Sequence, residues 1–288
     1  LNAERSGGFQ HLTEYYFPDG SVNSSVGVKA IAFGDTHRKF MDKKVEAATF
    51  GKGGIVDELD PEYLVFHDLH DGYAENPHHW GNPFISLAKR VSGVDDVRAE
   101  VLGDIQWLRD VCADRKGVIV PSNHDNFLSR WVVNTDWRRD PTNARFYLQT
   151  ALAMVEETDM TESGASYPDP FSYWVDRMLA YEGNAVDIKC LKRDESLMLA
   201  GVEMGMHGDK GPNGVRGSRQ NLRRIGVKSI IGHSHSPGIE EGCYQAGTST
   251  PLRLEYTGGP SSWMHCHCVL YPNGKRSLMF IIDGAWRF

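Results

Sequence analysis

Val28-Lys29-Ala30-Ile31-Ala32-Phe33-Gly34-Asp35-Thr36-His37 decides how this chain is read. The apolar run reads as a strand, and Gly34-Asp35 stops it, leaving a carboxylate and an imidazole at its tip. The pattern recurs twice. Tyr63-Leu64-Val65-Phe66 ends at His67-Asp68, and Val118-Ile119-Val120 ends in Pro121-Ser122-Asn123-His124-Asp125. A helical stretch is expected from Arg38 to Phe50, then a glycine-rich break at Gly51-Lys52-Gly53-Gly54. That break lacks the Gly-Lys-Ser/Thr ending of a phosphate-cradling loop and reads as a turn. Residues 72–93 read as a loop with a short helix. An amphipathic helix is expected from Asp95 to Arg115, with Val97, Val101, Ile105, Leu108 and Cys112 on one stripe and Gly117 closing it. Strands alternating with helices argue for βαβ units and a largely parallel α/β sheet, whose active crevice lies at the carboxyl ends of its strands.

The 288 residues suffice for one large domain or a core with an insertion. With 31 basic and 38 acidic residues the net charge is −7, which excludes a globally basic nucleic-acid binder and leaves room for a local basic groove. The five cysteines (Cys112, Cys190, Cys243, Cys266, Cys268) are odd in number and scattered, as expected in a reduced, cytoplasmic setting. No run approaches membrane-spanning length and no signal peptide is visible, so no membrane partner is expected. The chain opens at Leu1 rather than Met, which suggests processing or a fragment of a longer chain. Residues 1–27 are polar and turn-rich, with a turn at Phe17-Pro18-Asp19-Gly20.

Residues 126–183 differ in character, being helical and aromatic-rich. One helix is expected from Asn143 to Thr158. Another starts at Asp169-Pro170, carries Phe171, Trp174, Val175, Met178 and Leu179 on its stripe, and stops near Gly183. This segment reads as an insertion. Afterwards the chain turns β-rich, with strands at Ile188 to Leu191, Leu197 to Val202, Val227 to Ile231, Met264 to Leu270 and Leu278 to Ile282. A short helix from Ser218 to Ile225 is capped by Gly226. The strand ending in Ile230-Ile231 runs into Gly232-His233-Ser234-His235, two imidazoles at a strand tip.

Collected, the polar strand ends are Asp35, His37, Asp68, Asn123, His207, His233 and His235, with His124 set aside. Carboxylates, imidazoles and one amide suit borderline or oxygen-preferring divalent ions. Seven ligands are too many for one tetrahedral site and about right for two metals ~4 Å apart sharing a carboxylate, the separation used for in-line displacement at phosphorus.

Gly34-Asp35-Thr36-His37, His67-Asp68-Leu69-His70-Asp71, Asn123-His124-Asp125, His207-Gly208 and Gly232-His233-Ser234-His235 together resemble the calcineurin-like metallophosphoesterase superfamily. All five blocks occur in order, with His67 where the family usually has glycine. The resemblance implies a β-sandwich core of mixed sheets flanked by helices, one domain over residues 1–288 with the 126–183 helical insertion within it. It also implies that Asp35, His37 and His235 bind one metal, that Asp68 bridges, and that Asn123, His207 and His233 complete the second. The metals, Mn²⁺ before Fe, Zn²⁺ or Mg²⁺, would activate a water, and His124 would donate a proton to the leaving oxygen. Asp71 or Asp125 would orient His124.

Each residue alone has a plainer reading as a turn former or surface group; five ordered coincidences argue against that jointly. His265-Cys266-His267-Cys268 looks like a zinc cluster, yet a strand puts its histidines and cysteines on opposite faces. His78-His79 reads as a solvated loop pair. For the substrate, Arg130-Trp131, Trp137-Arg138-Arg139 and Arg145-Phe146-Tyr147 interleave bases with aromatics, which suits DNA or else helix packing. Arg216, Arg219, Arg223 and Arg224 cluster between metal-ligand blocks. Lys210, in Gly208-Asp209-Lys210-Gly211-Pro212-Asn213-Gly214, can meet phosphate together with Arg216 and Arg219. That loop and the Gly258-Gly259-Pro260-Ser261-Ser262-Trp263 stretch resemble phage-encoded, DNA-degrading metallophosphoesterases of the repair-exonuclease type. The expected activity is therefore a two-metal deoxyribonuclease in the host cytoplasm, with homo-oligomerisation left open. The alternatives are a small-substrate phosphodiesterase or phosphomonoesterase, and a metal-stabilised binding module.

Overall fold

The computed structural model describes residues 15–16, 22–23, 27–162, 164–181, 186–254 and 258–286, so the turn expected at residues 17–20 and the helix stop at Gly183 lie outside the described residues. The chain forms two compact units, the first from Leu1–Leu69, Cys112–Ser122 and Asp187–Phe288, the second from His70–Val111 and Asn123–Val186. The 126–183 segment falls wholly in the second unit, which also takes in residues 70–111 and a few on either side of the segment.

In the first unit, β1 (Ala30–Ala32), β2 (Tyr63–His67), β3 (Lys116–Val120) and β4 (Ile188–Cys190) pair in parallel in that order. Val65 faces both Ala32 and Val118, so adjacent strands leave the sheet side by side. A second sheet holds β5 (Met198–Leu199), β6 (Val202–Glu203), β7 (Lys228–Ile231), β8 (Gly238–Glu240) and β9 (Cys243–Gln245), in the order β8-β9-β7-β6-β5. The chain then returns to the first sheet, where β10 (Cys266–Leu270) runs antiparallel to β1 and pairs with β11 (Arg276–Phe280). Both sheets share one buried cluster that includes Ala32, Val65 and Val118 from the first and Leu199, Val202 and Ile230 from the second. Each large aliphatic side chain so buried contributes about 1.5–3 kcal/mol. The architecture is thus mixed α/β.

Two helices, α1 (Lys43–Phe50) and α2 (Ile55–Leu59), follow β1. The helix expected over 38–50 is broken: a 3-10 turn spans Arg38–Phe40, and Asp42 then caps α1 by accepting the amides of Lys44 and Val45. A carboxylate there satisfies amides that a continuous helix would have to pair internally. Gly117 does not close a helix; it lies within β3, where a side chain would come 2.7 Å from Cys112 Sγ. The strand expected over 197–202 is a hairpin instead, because Ala200 and Gly201 adopt φ 47° and 73° and turn β5 back onto β6. The 218–225 helix is a single α turn, Arg219–Leu222, followed by a 3-10 turn ending at Gly226 with φ 78°.

The second unit holds α3 (Pro83–Ser92), α4 (Val97–Val111), α5 (Asn126–Asn134), α6 (Ala144–Glu156) and α7 (Pro170–Tyr181). Trp131, Phe146 and Trp174 stack in series, with ring separations of 6.4 and 4.9 Å. An exposed hairpin pairs Asp159–Thr161 with Gly164–Ser166, where the sequence carries no apolar alternation to announce it. Among the described residues no helix is long and apolar enough to cross a membrane.

The strand β10 separates its histidine from its thiols as the alternation requires. Cys268 enters the shared cluster, while His267 faces α1. Gly34 N–H donates to His267 Nδ1 (3.0 Å), which therefore carries no proton, and Nε2 meets Thr49 Oγ1 at 2.8 Å. Burial, and then His265, push this imidazole down to about 3. The unfolded chain binds a proton near pH 6.5 that the folded one refuses until about 3, so stability is full above 6.5 and falls as pH drops through that window. The slope is about 1.4 kcal/mol per pH unit. We expect urea unfolding in chelator to show His267→Asn less stable at pH 7 but with an acid slope shallower by about that amount.

Candidate metal centre

Asp35 follows β1, Asp68 follows β2, His233 and His235 follow β7, and His207 lies downstream of β6. Hydrogen bonding continues beyond the strands: Thr36 N–H donates to the His67 carbonyl (2.8 Å) and His37 N–H to the Asp68 carbonyl (2.7 Å). Four of these residues hold left-handed backbone, with φ 37° at His37, 43° at Asp68, 77° at His233 and 58° at His235. None is glycine. Such conformations cost of order 1–3 kcal/mol each and persist where the surroundings over-determine them.

The side chains converge. Nε2 of His37 lies 3.2 Å from Nε2 of His235 and 3.6 Å from Asp68 Oδ2. Nε2 of His207 lies 3.2 Å from that same Asp68 oxygen, and Nε2 of His235 lies 3.2 Å from Asp35 Oδ2. The rings of His207 and His233 are 5.1 Å apart. Donor atoms of His37, Asp68 and His235 lie within 4.8 Å of one another, as do those of Asp68, His207 and His233. Asp68 belongs to both groups. Nitrogen and carboxylate donors, buried except for half-buried His233 and grouped within reach of common points, are what a borderline divalent ion requires, so these residues fit a metal.

The charged groups of the centre act strongly on one another. Burial opposes protonation of His207, but Asp68, followed by Asp35 and Asp209, outweighs it and pushes the imidazole up to about 9. His233 goes the other way, depressed by burial and then by His207. Burial works to raise Asp35, and the hydrogen bond and charge of His235 overcome it and hold the carboxyl low. A cation entering here replaces the proton on His207.

Neighbouring groups without a donor role hold the geometry. A side chain at Gly232 would stand 2.3 Å from Asp35 Oδ1, the oxygen that accepts His233 N–H at 2.9 Å. Gln245 Nε2 donates to the Gly232 carbonyl (2.9 Å) and to Ser234, fixing the turn between the two histidines. Trp263 packs against His235 with ring centroids 4.2 Å apart. Neither Gln245 nor Trp263 announces this role in the sequence. His67, where glycine was expected, ends β2 fully buried with its ring 5.7 Å from His207; burial, then His207, push it down to about 4 and keep it neutral.

The remaining predicted residues, Asn123, His124 and Asp71, belong to the second unit and are described within it. The Asp71 backbone carbonyl accepts from His124 Nδ1 at 2.8 Å, while the Asp71 carboxylate stands 4.0 Å away. The carbonyl thus assigns a proton to Nδ1. Of the two aspartates that could orient His124, Asp71 meets its ring through the backbone carbonyl. A separate cluster sits beside it: fully buried His70 lies 2.8 Å from Asp104 and 2.7 Å from Glu75. Burial opposes its charge, but Glu75 and Asp104 hold its pKa well above the ordinary value. His70, Glu75 and Glu100 are close enough to share an ion, yet both ring nitrogens already face carboxylates.

The chain is similar to Protein A1 of Escherichia phage T5. The two are 32% identical over 292 residues, covering 98% of this chain and 51% of that protein. The chain therefore spans about half the length of the curated relative it matches. No family model matches the chain, and no solved structure matches it.

Residues expected to meet substrate fare unevenly. Lys210 and Arg216 are exposed and joined by a backbone bridge. Arg219 is used otherwise, its Nη1 donating to the Ser236 carbonyl at 2.7 Å, and Arg223 pairs with Glu240 and Glu241. Of the interleaved aromatics, Trp131 and Phe146 are core residues of the second unit, only 3% and 2% exposed. Arg138 is clamped by Asp136. Those aromatics are therefore spent on packing. For the centre itself, Gly232→Ala forces the Asp35 carboxylate aside. It is expected to weaken Mn²⁺ binding about 10- to 100-fold by calorimetry while leaving circular dichroism unchanged.

Proposed function

We propose that this chain is a two-metal phosphodiester hydrolase of the calcineurin-like metallophosphoesterase type, acting on DNA. The observation that carries the reading is the sharing of Asp68 by two imidazole groups, His37 with His235 and His207 with His233. One carboxylate flanked by two donor sets suits two cations about 4 Å apart, a spacing matched to in-line displacement at phosphorus. Asp35 joins the first set through its place beside His235, and Asn123 is assigned to the second by its place directly after the β3 exit in the sequence. Mn²⁺ is the ion we assign, since mixed imidazole and carboxylate donors accept it readily. When bound, such ions polarise the phosphoryl oxygens and supply an activated water.

The chain's own residues account for the rest. His124, when doubly protonated with Nδ1–H held on the Asp71 carbonyl, would pass its Nε2 proton to the leaving oxygen as the P–O bond breaks, ending as the neutral Nδ1–H ring. Lys210 and Arg216 supply positive charge for the polyanion. A small phosphoester is the second reading, favoured by the commitment of Trp131, Phe146 and Arg219 to internal contacts.

With Mn²⁺ present, we expect hydrolysis of linear duplex, single-stranded or circular DNA. Asp68→Ala should abolish it and remove both ions from the binding stoichiometry, and His124→Ala should slow it about 10²- to 10⁴-fold with both ions retained. Absence of cleavage on every DNA form would sink the nuclease assignment. Faster turnover of nitrophenyl phosphate esters than of DNA moves the substrate to the small class.

A further inference from the structure

The second unit fastens residues 70–75 with unusual thoroughness. His70 is fully buried, its two ring nitrogens facing Asp104 of α4 and Glu75, and its ring stacks on Phe171 of α7 at 5.0 Å and 17°. One turn earlier on α4, Glu100 accepts the amides of Tyr73 (2.8 Å) and Ala74 (3.1 Å). Lys89 of α3, itself only 5% exposed, donates to the carbonyls of Tyr73 (2.5 Å) and Ala74 (3.3 Å). Gly72, at φ 67°, lies against Phe127, where a side chain would meet the ring at 3.1 Å, and Phe127 in turn packs on the His124 ring at 4.6 Å.

Asp71 sits in the middle of this fastening, and its carbonyl is the acceptor for His124 Nδ1. A carbonyl can choose the tautomer and plane of an imidazole only if it does not move. The packing of α4 and α7 would be satisfied by an apolar residue at position 70, at no cost in buried charge. A histidine bridged by two carboxylates instead adds direction to burial: it pins the chain on either side of Asp71 to α4.

We propose that His70 is a positioning residue, one that fixes the Asp71 carbonyl and thereby keeps Nδ1–H of His124 directed at it, so that the ring, once it also carries a proton on Nε2, passes that proton to a leaving oxygen. The catalytic part of this statement rests on the hydrolase reading above; the tautomer part does not. The chemistry it governs is leaving-group protonation, which alkoxide departure needs and nitrophenolate departure does not.

The test compares His70→Gln with the wild-type protein, loaded with Mn²⁺, on DNA and on a nitrophenyl phosphodiester. The expected result is a loss on DNA about tenfold or more greater than the loss on the nitrophenyl ester. The double variant with His124→Ala should be no slower on DNA than His124→Ala alone. Equal losses on both esters, or additive losses in the double variant, overturn the proposal and reduce His70 to a packing role. Should His70→Gln not fold, Asp104→Asn loosens the same contact and is read identically. Long-range ¹H–¹⁵N NMR of His124 in metal-free protein supplies a readout independent of turnover. The Nδ1–H form should dominate in the wild type and give way to a tautomer mixture in His70→Gln; an unchanged tautomer overturns the proposal. A wild-type protein inactive on both esters refutes the hydrolase reading instead, and the NMR result then decides the positioning of His124 alone.

Discussion

One carboxylate, Asp68, organises the site end of the first unit. It lies at the tip of a central strand, its Oδ2 is 3.2 Å from His207 and 3.6 Å from His37, and its backbone is left-handed. Each of these facts depends on the others. The φ of 43° turns the chain sharply enough to bring the side chain back over the strand exits, and the carbonyl freed by that turn receives His37 N–H. The neighbouring strand then delivers Asp35 in register, because Ala32 and Val65 are paired just before the two exits. The second sheet contributes His207, His233 and His235 only because the two sheets share a core. Hydrophobic burial therefore sets where the donors are, and electrostatics sets what they do once there.

Much of this is legible in the sequence because each element speaks locally. Apolar runs ending in Asp, His or Asn mark β1, β2, β3 and β7 and their polar tips, and six of the seven expected ligands meet in the first unit. Legibility fails where a single residue overrides a periodic pattern. Asp42 breaks a helix by capping, and Ala200-Gly201 folds one strand into two. It fails again for residues whose role is to hold others, such as Gln245 behind the Gly232 turn and Trp263 against His235, since neither stands in a chemically suggestive pattern.

The second unit teaches the converse. Arginines interleaved with aromatics read equally well as a nucleic-acid surface or as packing, and three dimensions separate the two readings residue by residue. Trp131 and Phe146 join Trp174 in a stacked core, Arg138 closes on Asp136, and Trp137 remains 39% exposed. Composition cannot make that distinction, because it depends on which helix face points inward. His70 was likewise visible in the string His67-Asp68-Leu69-His70-Asp71, but its two carboxylate partners, Glu75 and Asp104, come from a neighbouring loop and from α4.

The strand order has a consequence for synthesis. β1 begins near the start of the described chain, yet one of its two edges is closed only by β10, through pairs such as Ala32 with Cys268. At about 5–20 residues per second, a ribosome needs on the order of ten to fifty seconds between making the first of these strands and the last. During that interval the long apolar run Val28–Phe33 exposes an unpaired edge, the kind of surface that recruits chaperones or like chains. Helical segments made in the meantime can form from local contacts, whereas the first sheet cannot close on that side until β10 has been made. Between the making of β1 and that of β10 the nascent chain is thus an open-edged intermediate.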